Sequence, residues 1–72
     1  MADVKGTIQI NGRSEPLAVA SIAALLEAKA DEMPARGIAV ALNGSVVPRG
    51  SWPTTPLNDG DRVEIVRVMQ GG

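Results

Sequence analysis

The first residues of the chain show a strand pattern. Apolar and polar side chains alternate here, with Val4, Ile8 and Ile10 set against Lys5, Thr7 and Gln9. A period of two predicts a β-strand with one buried face. Asn11-Gly12 follows, and because both residues tolerate positive φ, the pair predicts a hairpin turn into a second strand over residues 13–17. Pro16 cannot donate a ladder hydrogen bond, so this strand should be an edge strand or end there.

A helix pattern comes next. The apolar residues Ile22, Leu25 and Leu26 have the i, i+3, i+4 spacing that places them on one helical face. Ser21 precedes them and can cap the helix with its hydroxyl. The helix should end before Pro34, because the residue before a proline is pushed out of the α region. The apolar face is interpreted as core packing.

The second half of the chain predicts two more strands before the last one. Residues 38–42 alternate larger apolar side chains with alanine, which suggests a strand covered on one face. Asn43-Gly44 predicts a turn into a short strand at Val46-Val47. A loop with Trp52 at its centre should follow, and a lone tryptophan of this size most simply packs that loop onto the core.

The last strand, predicted over residues 63–69 after a turn at 58–61, changes phase. Val63 and Ile65 share one face, whereas Val66 and Val68 share the other face with Glu64. One interpretation is a central strand that is apolar on both sides, or a bulge near Ile65-Val66. The other is that Val66 and Val68 form an exposed patch that docks a partner. The two interpretations are compatible.

A hairpin, one helix and three further strands predict an α+β domain with two layers. A single helix cannot cover both faces of a sheet, so we expect it on one face of a small mixed sheet. The length of 72 residues allows one domain, over residues 1–72. The chain has no cysteine or histidine, so it should fold on packing alone, without disulfides or the usual soft metal ligands.

Composition also narrows the classes of function. A formal charge of −1 and a single aromatic residue do not fit a nucleic-acid-binding protein. No stretch approaches the ~20 apolar residues of a membrane span, and no signal peptide begins the chain, so the cytoplasm is the expected location. The usual catalytic motifs are missing along with histidine and cysteine, which argues against an enzyme. Arg49 and Arg67 could pair with acidic residues of a partner, but single exposed arginines are more often solvated, so we interpret them as surface residues.

Two sequence blocks and the chain end carry a family resemblance. The blocks are ALNGSVVPRGSW at 41–52 and PLNDGDRVEIV at 56–66, followed by the terminal Gly71-Gly72. The chain resembles the ThiS family, the sulfur carriers of thiamine biosynthesis, which have the ubiquitin-like β-grasp fold. The small subunit of molybdopterin synthase is a similar family, but an aromatic residue and a proline pair usually precede its glycines. Here residues 66–69 read VRVM, which favours the thiamine branch. The segment before the helix, AVAS at 18–21, departs from the expected glycine and threonine.

The resemblance implies a reaction cycle for the chain end. A ThiF-like adenylating enzyme, of the type that activates ubiquitin, uses ATP to adenylate Gly72. Sulfur supplied through a cysteine desulfurase then converts Gly72 to a thiocarboxylate, which donates sulfur to thiazole synthase. The chain itself would be a protein co-substrate that binds no cofactor and is a monomer when free. Met69, Gln70 and Gly71 would form a flexible tail over about residues 69–72, which carries Gly72 into the partner's site.

Several other functions stay open at this point. The chain could be a protein modifier that is attached to lysines through Gly72, or the small subunit of molybdopterin synthase or another ubiquitin-like carrier. It could instead be an interaction module whose terminal Gly-Gly is incidental. A stable ladder of conjugates would identify a modifier, and tolerance of tail deletion would identify a plain interaction module.

Overall fold

A computed structural model of the chain describes residues 6–32 and 36–68. Within these ranges the strands and helices follow one another in the predicted order. They are β1 (Thr7–Ile10), β2 (Arg13–Pro16), helix α1 (Ile22–Ala28), β3 (Ile38–Leu42), β4 (Ser45–Val47), a 3-10 helix (Arg49–Thr54) and β5 (Arg62–Arg67). Val4, Lys5 and Met69, which were predicted to belong to strands, lie outside the described residues.

The five strands form one mixed sheet in the order β2-β1-β5-β3-β4. β1 pairs with β5 in parallel, and the other three pairs are antiparallel. The prediction that the proline-containing strand is an edge strand is confirmed, since β2 borders the sheet and ends at Pro16. The last strand, β5, lies at the centre of the sheet.

Both predicted Asn-Gly turns are confirmed. Asn11 and Asn43 each have φ of 52°, and the glycines that follow them also have positive φ. This is the geometry that a tight two-residue turn between antiparallel strands requires. The two turns fix the registers of the β1–β2 and β3–β4 hairpins.

Helix α1 begins after Ser21, as predicted, and it ends before the limit that Pro34 sets. Ser21 accepts a hydrogen bond from the Ala24 N–H at 3.2 Å, so the unusual segment before the helix still caps it. Helix α1 ends at Ala28, where Lys29 leaves the helical conformation while its N–H donates to the carbonyls of Leu25 and Leu26. Lys29 also forms a 2.8 Å ion pair with Glu15, which ties the helix end to β2.

A single apolar core lies between the helix and one face of the sheet. Its members are Ile8, Ile10, Leu17, Ile22, Leu25, Leu26, Val40, Val47, Trp52, Leu57, Val63 and Ile65. The predicted helical face is therefore confirmed as core packing, and the α+β architecture with one helix on one face is confirmed with it. No helix in the described part of the chain is both long and apolar enough to cross a membrane.

Gly6 occupies a position that should accept no other residue, which yields a first prediction. Its φ is +141°, and a Cβ there would lie 2.7 Å from the Cβ of Asp59. Asp59 cannot move away freely because its carboxylate accepts the Thr7 N–H at 2.8 Å. We expect Gly6→Ala to lower the free energy of unfolding by about 1–3 kcal/mol, the usual cost of a strained backbone position.

The matched control for Gly6→Ala is Gly50→Ala. A Cβ at Gly50 would meet no atom within 4 Å and its φ is not in the strained positive range. We expect this variant to change stability by less than ~1 kcal/mol. Denaturant titrations that give the two variants equal free energies of unfolding would contradict the role of Gly6.

Candidate functional site

The residues predicted to carry the chemistry, Met69, Gln70, Gly71 and Gly72, lie outside the described residues. The structure does describe the strand that leads to them. β5 is held between β1 and β3, and just past its end the Val68 N–H donates to the Gly37 carbonyl at 2.7 Å. The predicted tail therefore begins directly after a strand anchored at the centre of the sheet.

Val66 and Val68 are both exposed, with 57% and 42% of their surface accessible. In β5 the residues alternate, so Val63 and Ile65 face the helix whereas Glu64 and Val66 face outwards. The apolar character of both sides of this central strand is thus confirmed, and the outer side is left uncovered by the helix. The exposure that a docking role needs is present, while the docking role itself stays a prediction.

The alternative of a bulge near Ile65-Val66 is wrong. Pairing between β3 and β5 runs without interruption from Ile38↔Arg67 to Leu42↔Val63. A bulge would set two residues of one strand against one residue of its partner. The change of phase has another origin. Val63 and Ile65 are the buried residues of β5, and Val66 is an additional apolar residue on the exposed face.

An apolar surface surrounds Val66 on the outer face of the sheet. Ala39 pairs with Val66, and Ala41 pairs with Val46, which is 75% exposed. Together with Glu64 they line a shallow concavity of about 130 Å³. We refer to Ala39, Ala41, Val46 and Val66 as the outer patch. A weak sequence signal for it exists, since small residues alternate with large ones along β3.

The opposite end of the same face is polar. Gln9, Asn43, Arg62 and Glu64 line a concavity of about 410 Å³ beside the two turns. Within residues 6–32 and 36–68, every buried side-chain nitrogen or oxygen has a hydrogen-bond partner, and no cluster of three acidic, histidine or cysteine residues could hold a metal.

Two asparagine side chains hold β5 from either side, a role that the sequence analysis missed. Asn11 accepts the Ile65 N–H at 2.8 Å and donates to the Ile65 carbonyl at 3.2 Å. Asn43 accepts the Arg62 N–H at 2.9 Å and donates to the Asp61 carboxylate at 3.1 Å. The Asn-Gly pairs signalled turns but not these long-range contacts. The contacts fix the strand from which the tail departs.

Trp52 belongs to the core, as predicted. Its indole is 6% exposed, and Nε1–H donates to the Val47 carbonyl at 2.9 Å. The predicted loop around it is folded into the 3-10 helix. Arg49 and Arg67 are both exposed, and the Arg49 guanidinium lies 4.5 Å from the centroid of the Trp52 ring.

Comparison with known proteins gives consistent matches. The model of the ThiS family matches residues 7–72. The sulfur carrier protein ThiS of Thermus thermophilus is 38% identical over 65 residues, which cover 90% of this chain and 98% of that protein. An uncharacterized protein of Porphyra purpurea is 33% identical over 70 residues, covering 92% of this chain and 92% of that protein.

A solved structure shows the same fold. The crystal structure of the thiamine biosynthesis protein ThiS from Geobacter metallireducens superposes with a TM-score of 0.78 at 32% identity, covering 92% of this chain and 99% of that one. The predicted ubiquitin-like β-grasp fold is therefore confirmed. A family match over most of the length, a curated relative above 30% identity and a shared fold agree, and this chain belongs to the ThiS family of sulfur carrier proteins.

Proposed function

We propose that this chain carries sulfur on its C-terminal Gly72 for thiazole formation in thiamine biosynthesis. The observation that carries the proposal is the combination of Gly71-Gly72 in the sequence with a central strand, β5, that ends a few residues before them and has an exposed apolar face. The names of the relatives support it, since both ThiS proteins are described as a sulfur carrier or a thiamine biosynthesis protein. In this role the chain is a protein co-substrate and not an enzyme.

The chemistry of a C-terminal carboxylate explains why partner enzymes are needed. A free α-carboxylate has a pKa of about 3.5, so it is ionised near neutral pH and is a poor electrophile. In the proposed cycle a carboxylate oxygen of Gly72 attacks the α-phosphorus of ATP, and pyrophosphate leaves. The terminal sulfur of a persulfide, supplied through a cysteine desulfurase, then attacks the acyl carbon and displaces AMP. A thiol next attacks the other sulfur of the resulting acyl disulfide, which releases the thiocarboxylate of Gly72 and leaves a disulfide on the donor side. ATP is bound by the ThiF-like adenylating enzyme, and this chain binds no cofactor.

The composition of the chain supports the same route. It has no cysteine, so sulfur cannot be carried as a persulfide on one of its side chains. Glycine has no Cβ, which lets the backbone enter a narrow cleft. The four residues from Met69 to Gly72 would reach roughly 13 Å when fully extended, which is enough to enter a neighbouring active site.

Reconstitution tests the thiamine role directly. Thiazole synthase supplied with the thiocarboxylate form of this chain should produce thiazole, whereas the form with an ordinary carboxylate should not. The large subunit of molybdopterin synthase serves as the comparison acceptor. Sulfur transfer to that subunit, with none to thiazole synthase, would assign the chain to the alternative branch.

The outer patch and Val68 are the proposed docking surface for both partners. An exposed apolar surface beside the reactive end can hold the domain while the tail enters the partner's site. Because one surface would serve the adenylating enzyme and thiazole synthase in turn, the two complexes should be mutually exclusive. Competition binding measures this.

Val68→Asp tests the docking surface. The side chain of Val68 is 42% exposed, so the variant should fold, but docking would bury an unpaired charge. We expect affinity for each partner to fall at least tenfold, on the order of 1.4 kcal/mol or more. Ala18→Asp is the matched control, because it adds the same charge at an exposed residue in the loop before α1. Unchanged affinity of a folded Val68→Asp variant would exclude Val68 from the interface.

A further inference from the structure

Among the described residues, the backbone at the end of β5 has no neighbouring strand on the side of the β1–β2 hairpin. β1 pairs with β5 only at Gln9↔Arg62 and Ile10↔Val63, and the chain then turns away at Asn11-Gly12. At the next position along β5, the Asn11 side chain takes the place of a strand partner, because it forms hydrogen bonds with both the N–H and the carbonyl of Ile65. β3 continues along the other side of β5 as far as Ile38↔Arg67. β5 therefore projects past the hairpin with one side covered and the other open.

The direction of each N–H along β5 identifies the open group. The Ile65 N–H points to the hairpin side, where Asn11 accepts it, and the Val68 N–H points to the β3 side, where Gly37 accepts it. Neighbouring residues of a strand direct their N–H groups to opposite sides. The Arg67 N–H thus points to the hairpin side, beyond the contact between Asn11 and Ile65. None of the hydrogen bonds formed among residues 6–32 and 36–68 uses it.

We infer that this open edge at Arg67 is a docking strand, which pairs through main-chain hydrogen bonds with an extended segment of the adenylating enzyme. The inference rests on the proposed function and specifies how the partner recognises the chain. Addition of a strand to an exposed sheet edge is a common mode of recognition. A fully extended chain from Arg67 to Gly72 would span at most roughly 17 Å, so a segment paired at Arg67 would lie close to the site that receives the C-terminus.

The charge at the edge argues for a partner enzyme over a second copy of this chain. Two β5 edges that paired in antiparallel fashion would bring two exposed Arg67 guanidinium groups together. Like charges opposite each other destabilise a strand pair. The edge at Arg67 instead fits a segment with an acidic side chain opposite the guanidinium. The outer edges of the sheet, β2 and β4, lie away from the strand that leads to the tail.

Arg67→Pro tests the inference because it removes the open backbone N–H, together with the guanidinium. The pairing with β3 does not use this N–H, and the preceding residue, Val66, is already extended, as a residue before proline must be. Arg67→Ala is the matched control, since it removes the charge but keeps the N–H. A synthetic chain with an ester in place of the amide at Arg67 removes the N–H without restricting φ. Far-UV circular dichroism and backbone amide spectra check that each variant is folded.

The readout is ATP–pyrophosphate exchange catalysed by the cognate adenylating enzyme at varied carrier concentration. For Arg67→Pro and for the ester we expect KM to rise about threefold to tenfold, as for the loss of one hydrogen bond, with kcat within twofold. Arg67→Ala should raise KM less, and added salt should reduce its effect. If Arg67→Pro fails to fold, the ester decides.

Several results would overturn the inference. If the folded Arg67→Pro variant or the ester chain has the KM of the unaltered chain, the proposed main-chain contact at Arg67 is excluded. A KM that rises equally for Arg67→Pro and Arg67→Ala would assign the effect to charge. Dimers of the unaltered chain that dissociate in Arg67→Pro would show that a second copy covers the edge. Absence of exchange with the unaltered chain would instead overturn the proposed function, and with it the inference.

Discussion

Deletion of Gly72 is expected to abolish adenylation of the chain and to leave its fold intact. The reacting carboxylate would be moved back by one residue, about 3.5 Å, and could no longer reach the α-phosphorus of a bound ATP. The buried core described by the structure extends from Ile8 to Ile65, so the deletion removes none of it. We expect the free energy of unfolding to change by less than ~0.5 kcal/mol.

The matched control for this deletion is Gln70→Ala. It alters the predicted tail but keeps the chain length and the terminal Gly71-Gly72. Adenylation of the control should persist, as measured by ATP–pyrophosphate exchange, and both variants should unfold at the same denaturant concentration. Normal adenylation of the chain without Gly72 would exclude this residue as the site of activation.

Trp52→Ala is expected to have the largest effect on stability. The indole is the largest side chain of the core, and truncation of a buried tryptophan typically costs about 3–5 kcal/mol. A chain of 72 residues has a free energy of unfolding of only roughly 4–11 kcal/mol at the usual stability per residue. The loss is therefore a large fraction of the total, and the variant should unfold at a clearly lower denaturant concentration than the unaltered chain. Far-UV circular dichroism is the suitable probe, because Trp52 is the lone aromatic residue and fluorescence is lost with it.

Two further substitutions separate the parts of the Trp52 contribution. Trp52→Phe keeps an aromatic ring but leaves the Val47 carbonyl without the indole N–H, at an expected cost of about 1–3 kcal/mol. Thr54→Ala is the control on the same 3-10 helix, where the exposed hydroxyl should contribute less than ~0.5 kcal/mol. A Trp52→Ala variant as stable as Thr54→Ala would contradict the core role of the indole.

The elements of this fold could be predicted because their signals are local. The alternation in β1 and β3, the Asn-Gly pairs and Ser21 before an apolar stripe each act within a few residues, and the structure confirms each of them. The edge position of β2 followed from the missing N–H of Pro16. A family resemblance supplied the ubiquitin-like β-grasp fold, which periodicity alone would not have identified.

Features that depend on long-range contacts could not be predicted in the same way. The central position of β5 and the bonds from Asn11 to Ile65 join parts of the chain that are 54 residues apart. Whether Val66 is covered depends on the order of the strands in the sheet. The change of phase in the last strand was therefore compatible with a bulge as well as with an exposed apolar face. Pro34 set only an outer limit for α1, which ends earlier, at Ala28, where Lys29 leaves the helical conformation.

The site itself was predictable only in part, for a physical reason. A terminal Gly-Gly indicates where chemistry can occur, but an exposed apolar surface such as the outer patch requires the sheet to be assembled. Ala39 and Ala41 come from β3, Val46 from β4 and Val66 from β5. No sequence window contains all of them. The open N–H of Arg67 likewise depends on where the neighbouring hairpin ends.

The most direct test of sulfur carriage is the intact mass of the chain after incubation with its adenylating enzyme, ATP and a cysteine-desulfurase sulfur donor. We expect the mass to increase by the difference between one sulfur atom and one oxygen atom, because a carboxylate oxygen of Gly72 is replaced. The chain without Gly72 should show no such increase. An unchanged mass for the full chain, under conditions in which the enzyme converts a known carrier, would contradict the claim that this protein carries sulfur on its C-terminus.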